Sequence, residues 1–250
     1  MRESARRIRT LAGRNIKEIV RDPTSIIFMI ALPLVMEILF YFLFHDMTSQ
    51  FAMKYLAPGI VVFSQAFLSL FAGILISTDR NSAFLTRLYV SKAKPYEFIF
   101  GYTLALLPLA IIQAILFFAV GGIIDSSLFC VRILYCILIS PVTALFFIAL
   151  GILFGATCNE RSVGGVASVV VACQSMLSGM WFPVEGLNGF MLTLMKCLPF
   201  KNATDLMQNV LNGTGDASKD FALPLLIVLG YTAAAFVVAV AVFKNKMTDK

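Results

Sequence analysis

Six long apolar runs dominate the chain and restrict it to a helical fold embedded in a membrane. The runs lie at about residues 25–44, 55–76, 98–124, 133–158, 163–181 and 222–243. A helix of roughly twenty residues, rising ~1.5 Å per residue, crosses the ~30 Å hydrocarbon core of a bilayer. Only 14% of the 250 residues are charged, well below the share of about 25% in soluble domains. The sequence therefore predicts an all-α integral membrane protein with six transmembrane helices in a single domain, residues 1–250.

The residue inventory argues against an enzyme site and against nucleic-acid binding. The chain has one histidine, His45, and its five cysteines have no C-x-x-C or C-x-x-H spacing, so we expect no catalytic triad and no metal site. It contains no GxxxxGK[ST] phosphate loop, so it should not bind ATP by that route. The net charge of +6 comes from cations that flank the apolar runs, which indicates a protein of the lipid bilayer and no nucleic-acid partner. We therefore expect no catalytic residue, no metal and no bound cofactor on this chain.

Residues 1–23 predict an amphipathic helix that lies along the membrane surface. Seven arginines and lysines fall in this stretch, and apolar residues recur on one helical face: Ile8, Leu11, Ala12, Ile16, Ile19 and Val20. A basic disordered tail is the alternative, but the regular apolar spacing argues against it.

A polar interval, residues 77–97, separates the second and third runs. Four cations face two anions there, and apolar residues recur at helical spacing: Phe84, Leu85, Leu88 and Tyr89. The interval is too polar to enter lipid and too apolar to be only a solvated linker. It therefore predicts a short helix along a membrane face that docks on another surface.

Residues 183–220 form an unusual region before the last run. An apolar piece, residues 190–198, is too short to span and predicts a re-entrant or interfacial segment, and a polar stretch follows it. The layout is thus spans one to five in residues 24–182, an outer hairpin in residues 183–220, and the sixth span with a basic tail in residues 221–250. With both termini in the cytoplasm, the inner segments hold fifteen cations and the outer segments five, as the positive-inside rule requires. This predicts a multi-pass plasma-membrane protein, from a bacterium, with residues 77–97 on the cytoplasmic side.

A carboxylate inside the first run is the main charged feature of the predicted spans. Placing Glu37 in lipid costs on the order of 2.5–3.5 kcal/mol, so its side chain should face protein or water. Two roles are open: contact with a substrate or gate, and a hydrogen bond between helices. In the fourth run, Gly151 and Gly155 have the spacing that permits close helix approach, although such a pair also arises by chance.

The layout resembles the type-2 ATP-binding-cassette (ABC) permeases, which include bacterial drug- and antibiotic-resistance exporters. The resemblance covers nearly the whole chain. It is carried by Arg21-Asp22-Pro23, Leu56-Ala57-Pro58-Gly59, Arg87-Leu88-Tyr89-Val90-Ser91 ahead of Pro95, and Phe182-Pro183 with Leu198-Pro199. It implies that residues 1–23 are an elbow helix and that residues 77–97 hold a cytoplasmic coupling helix resting on a separate ABC ATPase subunit. It also implies pairing with a second permease copy or a similar partner, and ATP and Mg²⁺ bound by the ATPase.

The same resemblance assigns roles to particular residues. Coupling to the ATPase would use Asp79, Arg80, Phe84, Arg87 and Leu88, with a second contact at Glu160 and Arg161. The substrate path would lie at the interface of the two permeases and be lined by Gln65, Phe67, Gln174 and Met176, with Glu37 as a further candidate; the alternative is that these residues only pack helices. Family members often have Arg-Glu, a Gly-Thr pair and a Glu where this chain has Asp79-Arg80-Asn81-Ser82-Ala83, so the polarity of the contact differs here.

The implied function is export of an amphiphilic substrate, such as a drug, an antimicrobial peptide or a lipid, driven by ATP hydrolysis on the separate subunit. A polysaccharide or lipid-linked glycan is the alternative substrate class. An ATP-independent transporter or scaffold is the competing class, and its activity would survive ATP depletion but collapse with the proton gradient. A membrane enzyme is disfavoured because no catalytic constellation is present.

Overall fold

The computed structural model describes residues 2–82, 94–182, 184, 187–213 and 216–248. Within these ranges the chain is helical and contains no strand. The helices are α1 (Arg2–Val20), α2 (Pro23–Phe44), α3 (Met53–Asn81), α4 (Pro95–Ile124), α5 (Arg132–Thr157), α6 (Glu160–Leu177), α7 (Gly189–Cys197), α8 (Pro199–Asn212) and α9 (Leu223–Thr248). Two 3₁₀ turns, Ser49–Phe51 and Ser126–Leu128, precede α3 and α5, and a π-helical stretch, Ala217–Ala222, precedes α9.

Local sequence signals explain where several helices begin and end. Pro23 and Pro95 open α2 and α4, at first-turn positions where the missing N–H is tolerated. Asn188 caps α7 by accepting a hydrogen bond from the backbone N–H of Met191. Gly213 ends α8 with a φ of 62°, in the left-handed region that glycine adopts without strain.

Five of the described helical segments are long and apolar enough to cross a membrane. They are Ile26–Phe44, Met53–Arg80, Pro95–Ile124, Arg132–Thr157 and Ser218–Asn245. The predicted fifth span forms α6, but this 18-residue helix is not among the five, and it carries Glu160, Arg161 and Gln174. The all-helical fold is confirmed, whereas a sixth span stays a prediction.

Helix α3 occupies the centre of the bundle. Most residues of its span are buried, whereas few residues of α2 and of the span that contains α9 are buried. Helix α5 approaches α3 very closely: a Cβ atom at Gly151 would lie 2.6 Å from Ala72 Cβ, and one at Gly155 would lie 2.7 Å from Ile76 Cβ. No ordinary side chain fits at these distances, so the glycine pair serves close helix approach.

The predicted outer hairpin contains more helix than the sequence suggested. The apolar piece forms α7, but part of the stretch expected to be merely polar forms α8, whose Leu206 and Met207 are fully buried. The polar side chains of α8 bind the start of α3: Gln208 Nε2 donates to Tyr55 O at 2.9 Å, and Asn212 Nδ2 donates to Lys54 O at 3.2 Å. Helix α8 is therefore a packed part of the bundle.

Candidate functional site

A buried ion pair ties the end of α3 to the N-terminal helix. Asp79 is 1% exposed and binds both terminal nitrogens of Arg14: Nη1 donates to Oδ2 at 2.6 Å, and Nη2 contacts Oδ1. The hydroxyl of Tyr102, in α4, donates to the same Oδ2 at 2.6 Å. Bidentate, charge-assisted contacts of this kind are the strong ones among side-chain hydrogen bonds. Helices α1, α3 and α4 therefore meet on one carboxylate.

One arginine in this cluster serves two carboxylates. The hydrogen bonds to Asp79 raise the pKa of the Arg14 guanidinium, which stays charged. Glu18, one turn further along α1, lies 2.8 Å from Arg14 Nη2. Burial raises the pKa of Glu18, the nearby charge of Asp79 adds to the effect, and Arg14 opposes it. Arg14 is therefore the shared counter-charge of Asp79 and Glu18.

A second buried carboxylate ties the start of α4 to α1. Glu97 is buried, and its Oε2 lies 3.5 Å from Arg7 Nη1 and accepts the backbone N–H of Lys94 at 3.2 Å. Glu97 thus caps the first turn of α4 and docks on α1 through the same oxygen. Residues 83–93 lie between Asp79 and Glu97, so both flanks of this segment are held on α1.

The end of α3 also holds the turn between α5 and α6. Arg80 Nη1 donates to the carbonyl of Ala156 at 2.8 Å, and Nη2 donates to the carbonyl of Cys158. Carbonyls in the last turn of a helix have no partner within it, so Arg80 satisfies groups that would otherwise need water. Thr78 donates to Glu160 Oε1, at the start of α6, at 3.3 Å. The three helix ends therefore form one connected unit.

Two glutamines predicted to line a substrate path form hydrogen bonds between helices. Gln65 is fully buried; its Nε2 donates to Ser140 O at 3.0 Å, and its Oε1 accepts from Thr143 Oγ1 at 2.8 Å. Gln174 is also fully buried, and its Nε2 donates to Thr204 Oγ1, in α8, at 3.0 Å. The two glutamines thus donate to different helices, α5 and α8.

The other three candidates lie in different surroundings. Phe67 is half-buried and packs edge-on against Phe63, at 5.5 Å between ring centroids. Met176 is 58% exposed on α6. Glu37 is fully buried, and its oxygens have no hydrogen-bond partner among the described residues, so the interhelical hydrogen bond, one of the two roles left open for it, is not seen there.

Small residues create the space that Glu37 occupies. A Cβ atom at Gly121 would lie 3.1 Å from Glu37 Oε1 and also 3.1 Å from Met53 Sδ. Because Met53 begins α3 and Gly121 lies in the last turn of α4, the carboxyl group sits near the same ends of these helices that α8 covers.

Most of the chain matches a known protein family. The family model described as ABC-2 type transporter matches residues 6–212, from α1 to the end of α8. The chain belongs to the ABC-2 type transporter family. No curated protein matches it. This ABC-2 protein is therefore the permease component of an ABC transporter and a multi-pass membrane protein, of the kind that associates with an ABC ATPase.

The coupling role of the residues named for this ABC-2 permease stays a prediction. Phe84, Arg87 and Leu88 lie outside the described residues. Asp79 and Arg80 have partners within the chain, and Asp79 is buried. Glu160 and Arg161 are exposed at the turn between α5 and α6.

Sequence reasoning missed the partners of Asp79. Arg14 looked like one more surface cation among the seven of the N-terminal helix, and Tyr102 like one more aromatic residue of an apolar run. The available signal was Asp79 itself, because a carboxylate at the end of an apolar run needs a cation or hydrogen-bond donors nearby. Which of the cations would reach it depends on the packing of three helices.

Proposed function

We propose that this ABC-2 permease is the membrane-spanning subunit of an exporter that moves an amphiphilic substrate out of the cell, using ATP hydrolysed by a separate ATPase subunit. The observation that carries the proposal is the double anchor of residues 83–93 on α1, through Asp79 with Arg14 and Glu97 with Arg7. A force applied to a segment whose two flanks are both bound to α1 is transmitted to that helix. Coupling through a segment outside the spans needs flanks that are attached to the rest of the permease, as Asp79 and Glu97 are.

In this proposal the ATPase binds ATP and Mg²⁺ and presses on two parts of the permease. Phe84, Arg87 and Leu88 make the main contact, and Glu160 with Arg161 make a smaller one. Arg80 links the two contacts. It lies at the end of α3 and donates hydrogen bonds to the carbonyl oxygens of Ala156 and Cys158, at the turn that precedes Glu160. Asp79 acts through α1 and not by touching the ATPase. Closure of the ATPase subunits therefore moves the elbow helix and the ends of α3, α4, α5 and α6 together.

The packing of α6 supports its role as the fifth of six spans. Helix α6 runs antiparallel to α3. At its start, Glu160 accepts a hydrogen bond from Thr78, and Val163 Cγ1 lies 2.7 Å from the position of a Cβ atom added at Gly73. Just after α6, Met180 Cε lies 3.3 Å from the position of a Cβ atom added at Gly59. From Thr78 to Gly59, α3 rises ~28 Å at 1.5 Å per residue. That is about the thickness of the hydrocarbon core. A segment that accompanies a buried span over this distance crosses the same membrane.

Six spans give the permease both termini in the cytoplasm and place the hairpin outside, in the plasma membrane of a bacterium. The excess of cations on α1, on residues 77–97 and on the C-terminal tail supports this orientation. Helix α8, bound to the start of α3 through Gln208 and Asn212, then covers the outer end of the bundle as a lid or release gate.

The substrate path belongs to an interface between this chain and a second permease copy or a similar partner. The hydrogen bonds of Gln65 and Gln174 favour a packing role for both residues. The exposed Met176 and the half-buried Phe67 are the better candidates for the path, with Glu37 as a carboxyl group near the outer end. A path with so few charges suits a drug, an antimicrobial peptide or a lipid, with a glycan precursor as the alternative.

A co-purification experiment tests the proposal. Tagged chain is isolated from its native cells in mild detergent, and the proteins that accompany it are identified by mass spectrometry. A second chain carries a Gly/Ser linker in place of residues 82–89, and a third carries the same replacement at residues 126–129 on the opposite side. We expect an ATPase with a phosphate-binding loop to accompany the intact chain and the third chain, and to be lost from the second.

Absence of an ATPase under conditions that keep two permease chains together would overturn the proposal. The competing class, an ATP-independent transporter or scaffold, would then apply. Retention of the ATPase by the second chain would keep the exporter role but remove the coupling role of residues 82–89.

A further inference from the structure

Helix α1 has one face packed on the bundle and an outer side that is exposed. The packed face includes Ala12, Asn15 and Ile19, which are all buried. The outer side carries apolar residues as well as cations: Ile16 is 40% exposed and Val20 is 67% exposed. Exposed apolar side chains beside cations on one helix are typical of a helix at the boundary between lipid headgroups and acyl chains. The outer side of α1 therefore suits the surface of a bilayer.

Two sets of cations on this segment have different surroundings. Arg7 and Arg14 bind the two buried carboxylates that tie α1 to α4 and α3. The other set is exposed and consists of Arg9, Lys17 and, directly after the helix, Arg21. None of these three forms an ion pair with a carboxylate in the part of the chain that the structure describes. The exposed set can therefore bind an anion from outside the chain.

The exposed cations line an open groove of about 730 Å³ along α1. Gly13 lies in the middle of this groove, and a Cβ atom added there would meet nothing within 4 Å. Arg9 and Lys17 lie four residues before and after Gly13, which is ~6 Å along the helix axis in each direction. Their long side chains can therefore meet on one anionic group above Gly13. Arg21 extends the groove by one more turn.

The groove carries a net positive charge. Glu18 is the one carboxylate among its described lining residues, and it lies 2.8 Å from Arg14 Nη2. Arg14 also binds Asp79, so this arginine has two carboxylates beside it. Even when both carboxylates are counted, the four cations that line the groove outnumber them. An anion is therefore attracted to the groove, and a cation is repelled.

A phospholipid headgroup suits this groove better than a free anion does. Ile16 follows Gly13 by three residues and Val20 follows Lys17 by three, so each exposed apolar side chain neighbours the groove on the helix surface. A phosphate bound above Gly13 leaves the acyl chains of the same lipid free to contact these apolar residues. A soluble phosphate gains nothing from them. The exposed apolar neighbours thus favour a lipid as the source of the anion.

We propose that the groove above Gly13 binds the phosphate of an anionic phospholipid through Arg9 and Lys17, with Arg21 at its end. We call it the headgroup groove. The inference goes beyond the proposed export function, because the bound lipid holds α1 in place and is not the exported molecule. Helix α1 then binds the bilayer with one set of cations and the bundle with the other. The helix that anchors residues 83–93 is thus held from both sides.

Native mass spectrometry of the purified chain in neutral detergent tests the headgroup groove without any ATPase. The probes are phosphatidylglycerol and phosphatidylcholine with identical acyl chains, so that they differ in headgroup charge. We expect phosphatidylglycerol to bind more tightly. Arg9→Gln or Lys17→Gln should each weaken its tightest binding about fivefold and leave phosphatidylcholine unaffected. Lys219→Gln is the matched control, because Lys219 is an exposed lysine ahead of α9, and it should change neither.

Two variants at Gly13 separate the effect of charge from that of bulk. Gly13→Glu places a carboxylate four residues from both Arg9 and Lys17, where it pairs with them and competes with the lipid phosphate. Gly13→Gln introduces a side chain of the same size without the charge. Both variants should fold, since nothing lies within 4 Å of the Cβ position and either residue favours a helix more than glycine does. We expect phosphatidylglycerol to bind Gly13→Glu about tenfold more weakly than Gly13→Gln.

Equal binding of the two lipids by the intact chain would overturn the inference. So would an equal loss in Lys219→Gln and Lys17→Gln, or equal binding by Gly13→Glu and Gly13→Gln. Loss of ATPase capture from Arg9→Gln or Lys17→Gln with unchanged lipid binding would assign the groove to the ATPase, and it would also overturn the inference. Failure of the export proposal is a separate outcome, because lipid binding is measured on the chain alone.

Discussion

Replacing Arg14 with alanine should release α1 from α3 and α4. Asp79 would stay buried and keep its hydrogen bond from Tyr102, but it would lose both contacts with the guanidinium. Removing one partner of a buried ion pair costs about 3–5 kcal/mol, because the remaining charge is left without water or a counter-charge. The reverse change, Asp79→Ala, leaves Arg14, which is 33% exposed and can be rehydrated, so we expect a smaller loss of about 1–3 kcal/mol.

Hydrogen exchange of the α1 amides measures this loss directly, because undocking of α1 exposes its backbone locally. A loss of about 3 kcal/mol corresponds to roughly hundredfold faster exchange. Arg9→Ala is the matched control, since Arg9 is an exposed arginine of the same helix and forms no ion pair with any described residue. Exchange should quicken most in Arg14→Ala, less in Asp79→Ala and little in Arg9→Ala.

A double variant separates the ion pair from the individual residues. Arg14→Ala combined with Asp79→Ala should lose less than the sum of the two single variants, because neither charge is then left alone. Additive losses, or exchange in Arg14→Ala no faster than in Arg9→Ala, would refute the view that this pair holds α1.

Three further predictions follow from the packing and the predicted topology. Gly151→Val should lower the yield of folded protein in size-exclusion chromatography, since even a Cβ meets Ala72 at 2.6 Å, whereas Gly164→Val should be tolerated because nothing lies within 4 Å of its Cβ position. In single-cysteine variants, a membrane-impermeant thiol reagent applied to intact cells should label the exposed Cys197 but not Cys158; labelling of both or of neither would show that α6 does not cross the membrane. Gln65→Leu should lower thermal stability by about 1–2 kcal/mol without changing the range of exported compounds, because it removes helix-bridging hydrogen bonds.

Much of the fold was predictable because length and hydropathy alone limit what an apolar helix can do in a membrane. The predicted first and fourth spans, about residues 25–44 and 133–158, match α2 and α5 within a few residues. The amphipathic pattern of residues 1–23 likewise predicted α1, whose apolar Ala12 and Ile19 are buried against the bundle. Helix α8 was missed because its buried side includes polar residues such as Asn202 and Thr204, which do not produce an apolar run.

The candidate site was less predictable because its contacts join residues far apart in the chain. Asp79 and Arg14 are separated by 65 positions, and no local pattern pairs them. Gln65 and Gln174 show a second difficulty: polar residues in apolar runs left both a substrate path and helix packing open, and their hydrogen bonds to Ser140 and Thr204 became visible only in the folded chain. Polarity inside a span identifies residues that need a partner, and only the packing determines whether the partner is a substrate or a neighbouring helix.

Site-specific photo-crosslinking tests most directly whether residues 77–97 couple this permease to an ATPase. A photoreactive amino acid replaces Arg87 in one chain and Ser127, in the exposed turn before α5, in the other. Both chains are irradiated in native cells and the cross-linked proteins are identified by mass spectrometry. The account predicts that an ATPase with a phosphate-binding loop is captured from position 87 and not from position 127. Capture of no ATPase from position 87, or equal capture from both positions, would contradict it.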